Sequence, residues 1–474
     1  MTTLYITQEF APFFVEGGLG LTSRGLPERL QKDWGLDHEI ILPYYIQFVE
    51  RQGLSTQLIR DLGAVDESGR TWSAHQLLDP TTPLKVTLLR CDEWYDRPTL
   101  YRDSDYHDFP DQEERAIAFG CAVGAYVAYD PAPYRLVHAN DWQSGIAAQR
   151  LADLGLPILF NIHSGWYRGD LIRSGERIIA GDVDSLLELG LSVASTVVTC
   201  SPGYADELAS QPDRIGELCR ARGSGIVGIV SGVDTAVWDA GAVGRSYQPF
   251  DESTVDAAKV AARARLTQVL GRPALADRPL IGVCGRFVHE KGVDLILSTA
   301  ETVLAAGEAN VILMGGAEEP YKSQVLALVE GHAQHFVYRE RFEQDLAWLI
   351  YAGSDVTLMP SRVEPCGLNQ TIALRYGTLP VVAPTGGLRD TVINRDSGSA
   401  DWTGLWIREM TPEGVLAAVR ELLGVITDLP EETTRARIRG MRHPWTWRRT
   451  AEEFADLYEV VASRRRVDLP EANS

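Results

Sequence analysis

The stretch Val363-Glu364-Pro365-Cys366-Gly367-Leu368-Asn369-Gln370 holds the densest chemistry in the chain. A strand-like run over 356–359 ends just before it, and a helical run over 368–376 begins within it. A carboxylate there can accept hydrogen bonds from sugar hydroxyls, and the N–H groups of Gly367 and Leu368, opening a helix, can face a phosphate. Cys366 has no base beside it in sequence and reads as a half-buried small residue rather than a nucleophile. Thr385-Gly386-Gly387-Leu388 is a second glycine turn that leaves a strand. Upstream, Arg286 and Lys291 lie in Gly285-Arg286-Phe287-Val288-His289-Glu290-Lys291-Gly292 after a strand over 280–284. Two cations beside glycines at the carboxyl end of a strand can neutralise a diphosphate and the charge of a departing nucleotide. A solvated basic turn would have the same composition.

The first half carries three more such places. Gly17-Gly18-Leu19-Gly20 stands between the first strand and the first helix, where backbone N–H groups can approach an anion; a tight turn needing positive φ would also use these glycines. His163, in Ile162-His163-Ser164-Gly165, and Asp141, in His138-Ala139-Asn140-Asp141-Trp142, each follow a strand. Either can face a cleft, although a lone histidine after a strand often serves structure. No cluster has metal-ligand spacing, so neither a metal nor a cofactor is expected.

The elements that would position these residues alternate along the chain. Strands are predicted over 4–7, 38–42, 136–138, 158–162 and 196–199, with helices over 19–31, 116–129 and 142–154. The pattern weakens over 238–256, where Gly, Pro, Ser and Asp accumulate. A helix over 253–270 opens a second series, with strands over 280–284, 309–314, 335–338, 356–359 and 380–383 and helices over 293–306, 321–332 and 368–376. Such alternation predicts parallel sheets covered by helices on both faces, with ligands outside the carboxyl ends of the strands and in a cleft between two domains.

The composition of the 474 residues is that of a globular protein, 45% hydrophobic and 23% charged. With 65 acidic and 45 basic residues the formal charge is −20, which argues against nucleic acid or an anionic membrane as a partner. The six cysteines form no C-x-x-C pair, and the first ten residues have no basic stretch leading into an apolar run. A reduced, cytoplasmic setting without a signal peptide is therefore expected. The last ten or so residues are polar and expected to fray.

Beyond these generic features, Glu364 to Gln370 closely resembles the signature of bacterial glycogen synthases and plant starch synthases. The resemblance extends to Met359-Pro360-Ser361-Arg362, Arg375-Tyr376-Gly377 and Thr385-Gly386-Gly387-Leu388. Gly285-Arg286 with Lys291-Gly292-Val293-Asp294-Leu295 is similar to the family's phosphate-binding stretch. Glu9-Phe10-Ala11-Pro12-Phe13, His138 with Asp141-Trp142, Ile162-His163, Ser201-Pro202 with Tyr204-Ala205, Gly232-Val233-Asp234 with Trp238, and Trp445-Thr446-Trp447 follow in the family's order. The resemblance implies an α/β chain of GT-B fold, two Rossmann-like doubly wound domains with an interdomain cleft. The domains expected are 1–245 on the acceptor side and 246–445 for the nucleotide donor, with 446–474 forming a C-terminal helix that crosses back to the first domain and a frayed tail. It also implies retaining, metal-independent transfer from a nucleotide-activated donor. On that basis His163, Arg286, Lys291 and Glu364 are the expected catalytic residues. Arg286 and Lys291 would hold the diphosphate, and Glu364 with Cys366, Gly367 and Leu368 the sugar ring and distal phosphate. His163 would lie against the reacting face of the donor. Gly17, Gly18, Asp141, Thr385, Gly386 and Gly387 are the remaining expected donor-binding positions.

One region departs from the family. Its first glycine turn reads Lys-Val-Gly-Gly-Leu-Gly-Asp, whereas this chain reads Val15-Glu16-Gly17-Gly18-Leu19-Gly20-Leu21; the His-Asn pair becomes His163-Ser164, and the Asn-Gly pair becomes Ser231-Gly232. Val15, Glu16, Leu21 and Ser164 are thus specificity candidates. Glu16 could pair with an amine on the acceptor. That suggests a pseudoglycosyltransferase joining a nucleotide-cyclitol to an amino sugar through a C–N bond, the type found in acarbose-like aminocyclitol antibiotic biosynthesis. An ordinary glucan-elongating synthase using ADP- or UDP-glucose and a saccharide acceptor stays open beside it, as does a catalytically weak glucan- or nucleotide-binding regulatory protein. No residue pattern specifies the nucleobase or an oligomeric state.

Overall fold

A computed structural model describes residues 2–66, 68–103, 107–129, 134–173, 176–177, 182–221 and 225–463. The tail expected to fray lies outside them. The chain divides into two compact units, between Ser231 and Gly232 and again between Thr446 and Trp447, so that the first unit contains both the beginning of the chain and the segment from Trp447 onward. The stretch 238–256 lies in the second unit. There Trp238 packs edge-on against Tyr351, and Tyr247 and Phe250 against Tyr376. These aromatic anchors seat a Gly- and Pro-rich segment that composition alone suggests is a linker.

The first unit is built on a nine-stranded sheet in the spatial order Val227–Gly228, Thr196–Thr199, Ile158–Ile162, Tyr134–Asn140, Thr2–Ile6, His38–Pro43, Lys85–Arg90, Thr71–Leu77, Thr56–Ala64. The strands are parallel as far as Lys85–Arg90. The last two are antiparallel, which corrects the expectation of a wholly parallel sheet. The outermost strand, Thr56–Ala64, is largely exposed, and a short connection suffices to fold an antiparallel neighbour back on it, without a crossover helix. The central strands Thr2–Ile6 and Ile158–Ile162 are short apolar runs buried almost throughout, as expected where helices cover both faces.

The helix Trp447–Ser463 completes this unit. Its Trp447, Ala451, Phe454 and Tyr458 share a core with Leu26 and Leu30 of the helix Gly18–Trp34 and with Leu136 and Leu159 of the sheet. The fit is close at Gly25, where a Cβ would come within 2.6 Å of the Trp447 indole. Among the described residues, no helix is long and apolar enough to cross a membrane.

The second unit has a six-stranded, wholly parallel sheet in the order Phe336–Arg339, Asn310–Met314, Leu280–Cys284, Val356–Met359, Leu379–Val382, Leu405–Trp406. Both sheets therefore reverse strand order in the Rossmann manner. In the second unit the reversal lies between Leu280–Cys284 and Val356–Met359, and in the first it lies around Thr2–Ile6 and Tyr134–Asn140. Four of the segments expected to do chemistry follow these strands, at the switch points where such sheets bind ligands, while His163 follows the neighbouring strand Ile158–Ile162 and Thr385-Gly386-Gly387 follows Leu379–Val382.

A buried cation locks the second unit behind its sheet. Lys259, on the helix Val255–Leu270, is 2% exposed. Its ammonium donates to the carbonyls of Tyr351 (3.4 Å), Ala352 (3.2 Å) and Tyr376 (3.1 Å) and to Thr378 Oγ1 (2.8 Å). Lys259→Met removes these donors and leaves buried acceptors unpaired. We expect the substitution to cost about 2–4 kcal/mol, measured as a lowered urea midpoint; an unchanged midpoint would contradict the assigned role.

Candidate active site

In the first unit the site grows from two buried carboxylates. Glu9 stands just beyond the strand Thr2–Ile6 and is 4% exposed. Its Oε2 accepts from the backbone N–H groups of Glu16 (2.8 Å) and Gly17 (2.9 Å), and its Oε1 from the Tyr101 hydroxyl (3.1 Å). Burial raises the Glu9 pKa above the usual carboxylate value, and these hydrogen bonds oppose the rise. Glu9 thereby holds the turn that leads into the helix Gly18–Trp34. Gly17 is the N-cap at φ −152°, and no side chain caps that helix. The turn therefore needs no left-handed glycine, contrary to one reading of the sequence. Its glycine requirement is steric, since a Cβ on Gly20 would stand 3.0 Å from Val15 Cγ2, 3.2 Å from Glu9 Oε2 and 3.3 Å from the Phe14 carbonyl. Val15, Glu16, Gly17, Gly18 and Leu21 are all exposed.

Asp141 is the second carboxylate. It follows the strand Tyr134–Asn140 and, at φ 56°, is the one non-glycine residue with positive φ among those described, a strained geometry typical of ligand sites. Its Oδ1 accepts from the backbone N–H groups of His163 (2.6 Å) and Ser164 (3.2 Å). Burial pushes its pKa up to about 7, the two N–H donors pull it down, and the charge of Glu9 adds to the rise. Because residue 164 contributes only its backbone here, serine preserves this contact. His163 is half-buried beyond the strand Ile158–Ile162, and burial lowers its pKa to about 4, so at neutral pH it is an uncharged imidazole. Glu16 lies within electrostatic reach of Arg102. Burial opposes the Arg102 charge, but the hydrogen bond to Asp108 and the charges of Tyr167, Asp108 and Glu16 raise its pKa.

In the second unit the structure brings two expected catalytic residues into contact. Lys291 Nζ donates to Glu364 Oε2 at 2.8 Å, and Ser361 Oγ donates to the same oxygen at 3.2 Å. These side chains, 73 residues apart, meet because their turns pack backbone to backbone. At Gly292, φ 68°, a Cβ would lie 2.0 Å from the Pro360 carbonyl, and at Gly386, φ 41°, 2.1 Å from the Glu364 carbonyl. Arg362 fastens the same turns by a two-pronged pair with Asp294 (2.8 Å and 2.8 Å) and a hydrogen bond to the His289 carbonyl (2.9 Å). Gly387 N–H donates to the Glu364 carbonyl at 3.1 Å, and Thr385 stands at the N-cap position of the short helix Gly386–Thr391 without a side-chain cap. Gln370 ties the Cys366 and Gly367 carbonyls (3.1 Å and 2.8 Å) to Thr391 (2.9 Å). The N–H groups of Gly367 and Leu368 donate to no group among the described residues, nor does the exposed Arg286 guanidinium. One face thus presents two cations, unused backbone donors and a buried carboxylate. Among the described residues no cluster of His, Cys, Asp and Glu could hold a metal ion.

Glu9 and Asn140 carry no independent signal in the sequence. Each stands inside a run that resembles the family, and only the fold shows their contacts.

The family described as starch synthase catalytic domain matches residues 2–220, and that described as glycosyl transferases group 1 matches residues 272–428. A glycogen synthase of Syntrophotalea carbinolica is 32% identical, with 100% of both chains covered. One from Halorhodospira halophila is 33% identical over 98% of this chain and 100% of its own. The chain belongs to the glycogen and starch synthase family of glycosyltransferases. The catalytic domain of Arabidopsis thaliana starch synthase IV, bound to ADP and acarbose, shares the GT-B fold at a TM-score of 0.85 and 24% identity, covering 98% of this chain and 99% of that one. Full-length relatives of this kind favour an ordinary glycogen synthase over the aminocyclitol-type transferase suggested by Val15, Glu16 and Leu21.

For this synthase-family chain, Asp141 couples the site to stability. A carboxyl whose folded pKa of about 7 exceeds its ordinary 3.8 favours the fold at low pH, and that contribution is lost as pH rises through 7. Asn cannot ionise and tolerates positive φ. Asp141→Asn is therefore expected to stabilise the fold at pH 8 by on the order of 1–3 kcal/mol, with the gap narrowing toward pH 5. Thermal or urea unfolding at the two pH values measures this, and equal stability of the two proteins at pH 8 would be inconsistent with it.

Proposed function

We propose that the chain elongates an α-1,4-glucan by transferring glucose from ADP- or UDP-glucose with retention and without a metal. The observation that carries this reading is the joint presence of Lys291, Glu364, Arg286 and His163 in a chain alignable end to end with glycogen synthases. Arg286 and Lys291 take the diphosphate, together with the unused N–H groups of Gly367 and Leu368. Glu364 receives hydroxyls of the sugar ring. An arriving diphosphate competes with Glu364 for the Lys291 ammonium, so donor binding frees the carboxylate for the sugar. In the first unit, the uncapped start of the helix Gly18–Trp34 at Gly17 and Gly18 is suited to an anion, and Asp141 and His163 to saccharide hydroxyls. The leaving phosphate deprotonates the acceptor on the same face. The protein contributes positioning and charge stabilisation, and no side-chain nucleophile is needed.

The exchange of lysine for Val15-Glu16 is compatible with this reading. Glu16 has a cation of the chain itself, Arg102, within electrostatic reach, so its charge does not call for an amine on the acceptor.

Incubation with ADP- or UDP-glucose plus glycogen or maltooligosaccharides is expected to give chain extension. Transfer only from a nucleotide-cyclitol to an amino sugar would overturn the proposal in favour of the pseudoglycosyltransferase, and binding without turnover in every combination would favour a regulatory protein. Lys291→Ala and Glu364→Ala are each expected to lower kcat by about 100-fold or more with an unchanged circular dichroism spectrum. Near-normal rates in either would remove that residue from the mechanism.

A further inference from the structure

His163 sits at the edge of a buried polar network whose members constrain one another's protons. Asn140 is fully buried, and its Nδ2 donates to the Ile6 carbonyl at 2.9 Å, which fixes the orientation of its amide. Its Oδ1 therefore points the other way, and an amide oxygen can only accept. That oxygen lies 2.9 Å from His163 Nε2, 3.3 Å from Asn161 Nδ2 and 3.4 Å from the Tyr5 hydroxyl. Two facing lone pairs at 2.9 Å would repel, so this contact calls for a proton on His163 Nε2.

The rest of the network can be satisfied around this assignment, with one contact left between two donors. Asn161 Nδ2 has two hydrogens and three neighbours, His163 Nε2 at 3.0 Å, His138 Nε2 at 3.2 Å and Asn140 Oδ1 at 3.3 Å; with the proton on His163 Nε2, its hydrogens go to the other two. His138 Nε2 is then the acceptor, and its Nδ1–H donates to the Tyr458 hydroxyl at 2.8 Å. Each buried group finds a partner in this arrangement, as a low-dielectric interior requires. His163 is left with a lone pair on Nδ1, which lies 4.0 Å from Cys200 Sγ and has no closer partner among the described residues.

We infer that Asn140 is a positioning residue: its amide oxygen locks His163 in the Nε2–H form, so that Nδ1 is presented as an acceptor for a hydroxyl of the bound saccharide. The inference rests on the reading that His163 contacts the saccharide. It adds the polarity of that contact and the residue that sets it. The other tautomer would offer a donor instead and would leave a sugar O–H facing an N–H. Ionisable groups around the ring are the Asp141 carboxylate, which holds the His163 backbone N–H, the Cys200 thiol, and His138 through Asn161.

The test combines nitrogen-15 spectra of the histidine-labelled full-length protein with kinetics of His163→Ala, Asn140→Leu and Asn140→Asp. The ring signals missing in His163→Ala identify His163. In the wild-type protein they should report a neutral ring with its proton on Nε2 at pH 7; a proton on Nδ1 overturns the inference without any substitution at Asn140. Asn140→Leu is expected to lower kcat by about 10-fold while KM for the nucleotide-glucose stays within about twofold. Asn140→Asp retains the acceptor and adds a negative charge, so it should keep the Nε2–H form and raise the pH at which His163 charges by about one unit or more. The pH–rate profile should then gain an inflection that Asn140→Leu lacks. A wild-type kcat in Asn140→Leu alongside an inactive His163→Ala would overturn the positioning role alone, whereas full activity in His163→Ala would overturn both this inference and the reading beneath it.

Discussion

Turns far apart in sequence can stack directly on one another only if their backbones come closer than side chains ordinarily allow. In the second unit this is met at Gly292, pressed against the Pro360 carbonyl, and at Gly386, pressed against the Glu364 carbonyl. Any Cβ at either point would force the turns apart. With the turns in register, Lys291 reaches Glu364 and Arg362 reaches Asp294. The same packing leaves Arg286 and the N–H groups of Gly367 and Leu368 uncommitted. The cations and donors suited to a diphosphate are thus a consequence of how these turns stack, and the parallel sheet beneath supplies the strand ends from which they rise.

The first unit solves a different problem, that of holding polar groups still in a dry interior. Glu9 and Asp141 are both buried carboxylates, and both spend their charge on backbone N–H groups rather than on a counter-ion. Their raised pKa values show that this compensation is incomplete. Burial of this kind costs stability, and it rigidifies the turn at 15–17 and the segment at 163–164 before any ligand arrives.

Much of this was legible in the sequence, for physical reasons that differ by element. Ile158–Ile162, Thr196–Thr199, Leu280–Cys284 and Val356–Met359 are buried on both faces, so each stands out as a brief apolar run and its bounds can be read directly. The strands Thr56–Ala64 and Thr71–Leu77 lie at an edge, where exposure and burial mix without clean alternation, and they escape notice. The residues of the second unit's site announce themselves through glycine, proline and charge close together in sequence. The Lys291–Glu364 pair, the hold of Glu9 on residues 16 and 17, and the role of Asn140 depend on contacts across tens of residues, which leave no local trace. The exchange at Val15 and Glu16 pointed toward an amine-bearing acceptor. Only the position of Arg102 shows that the chain itself places a cation near Glu16.

The helix Trp447–Ser463 belongs to the first unit although the whole of the second unit precedes it in the chain. During synthesis the first unit therefore emerges with one of its faces uncovered. Leu26, Leu30, Leu136 and Leu159 must wait for Trp447, Phe454 and Tyr458 while more than two hundred further residues are made. Domains that emerge whole can fold in turn; here the first-made unit is the last to be finished. Its polar network, which ends on Tyr458, closes only after the second unit already exists.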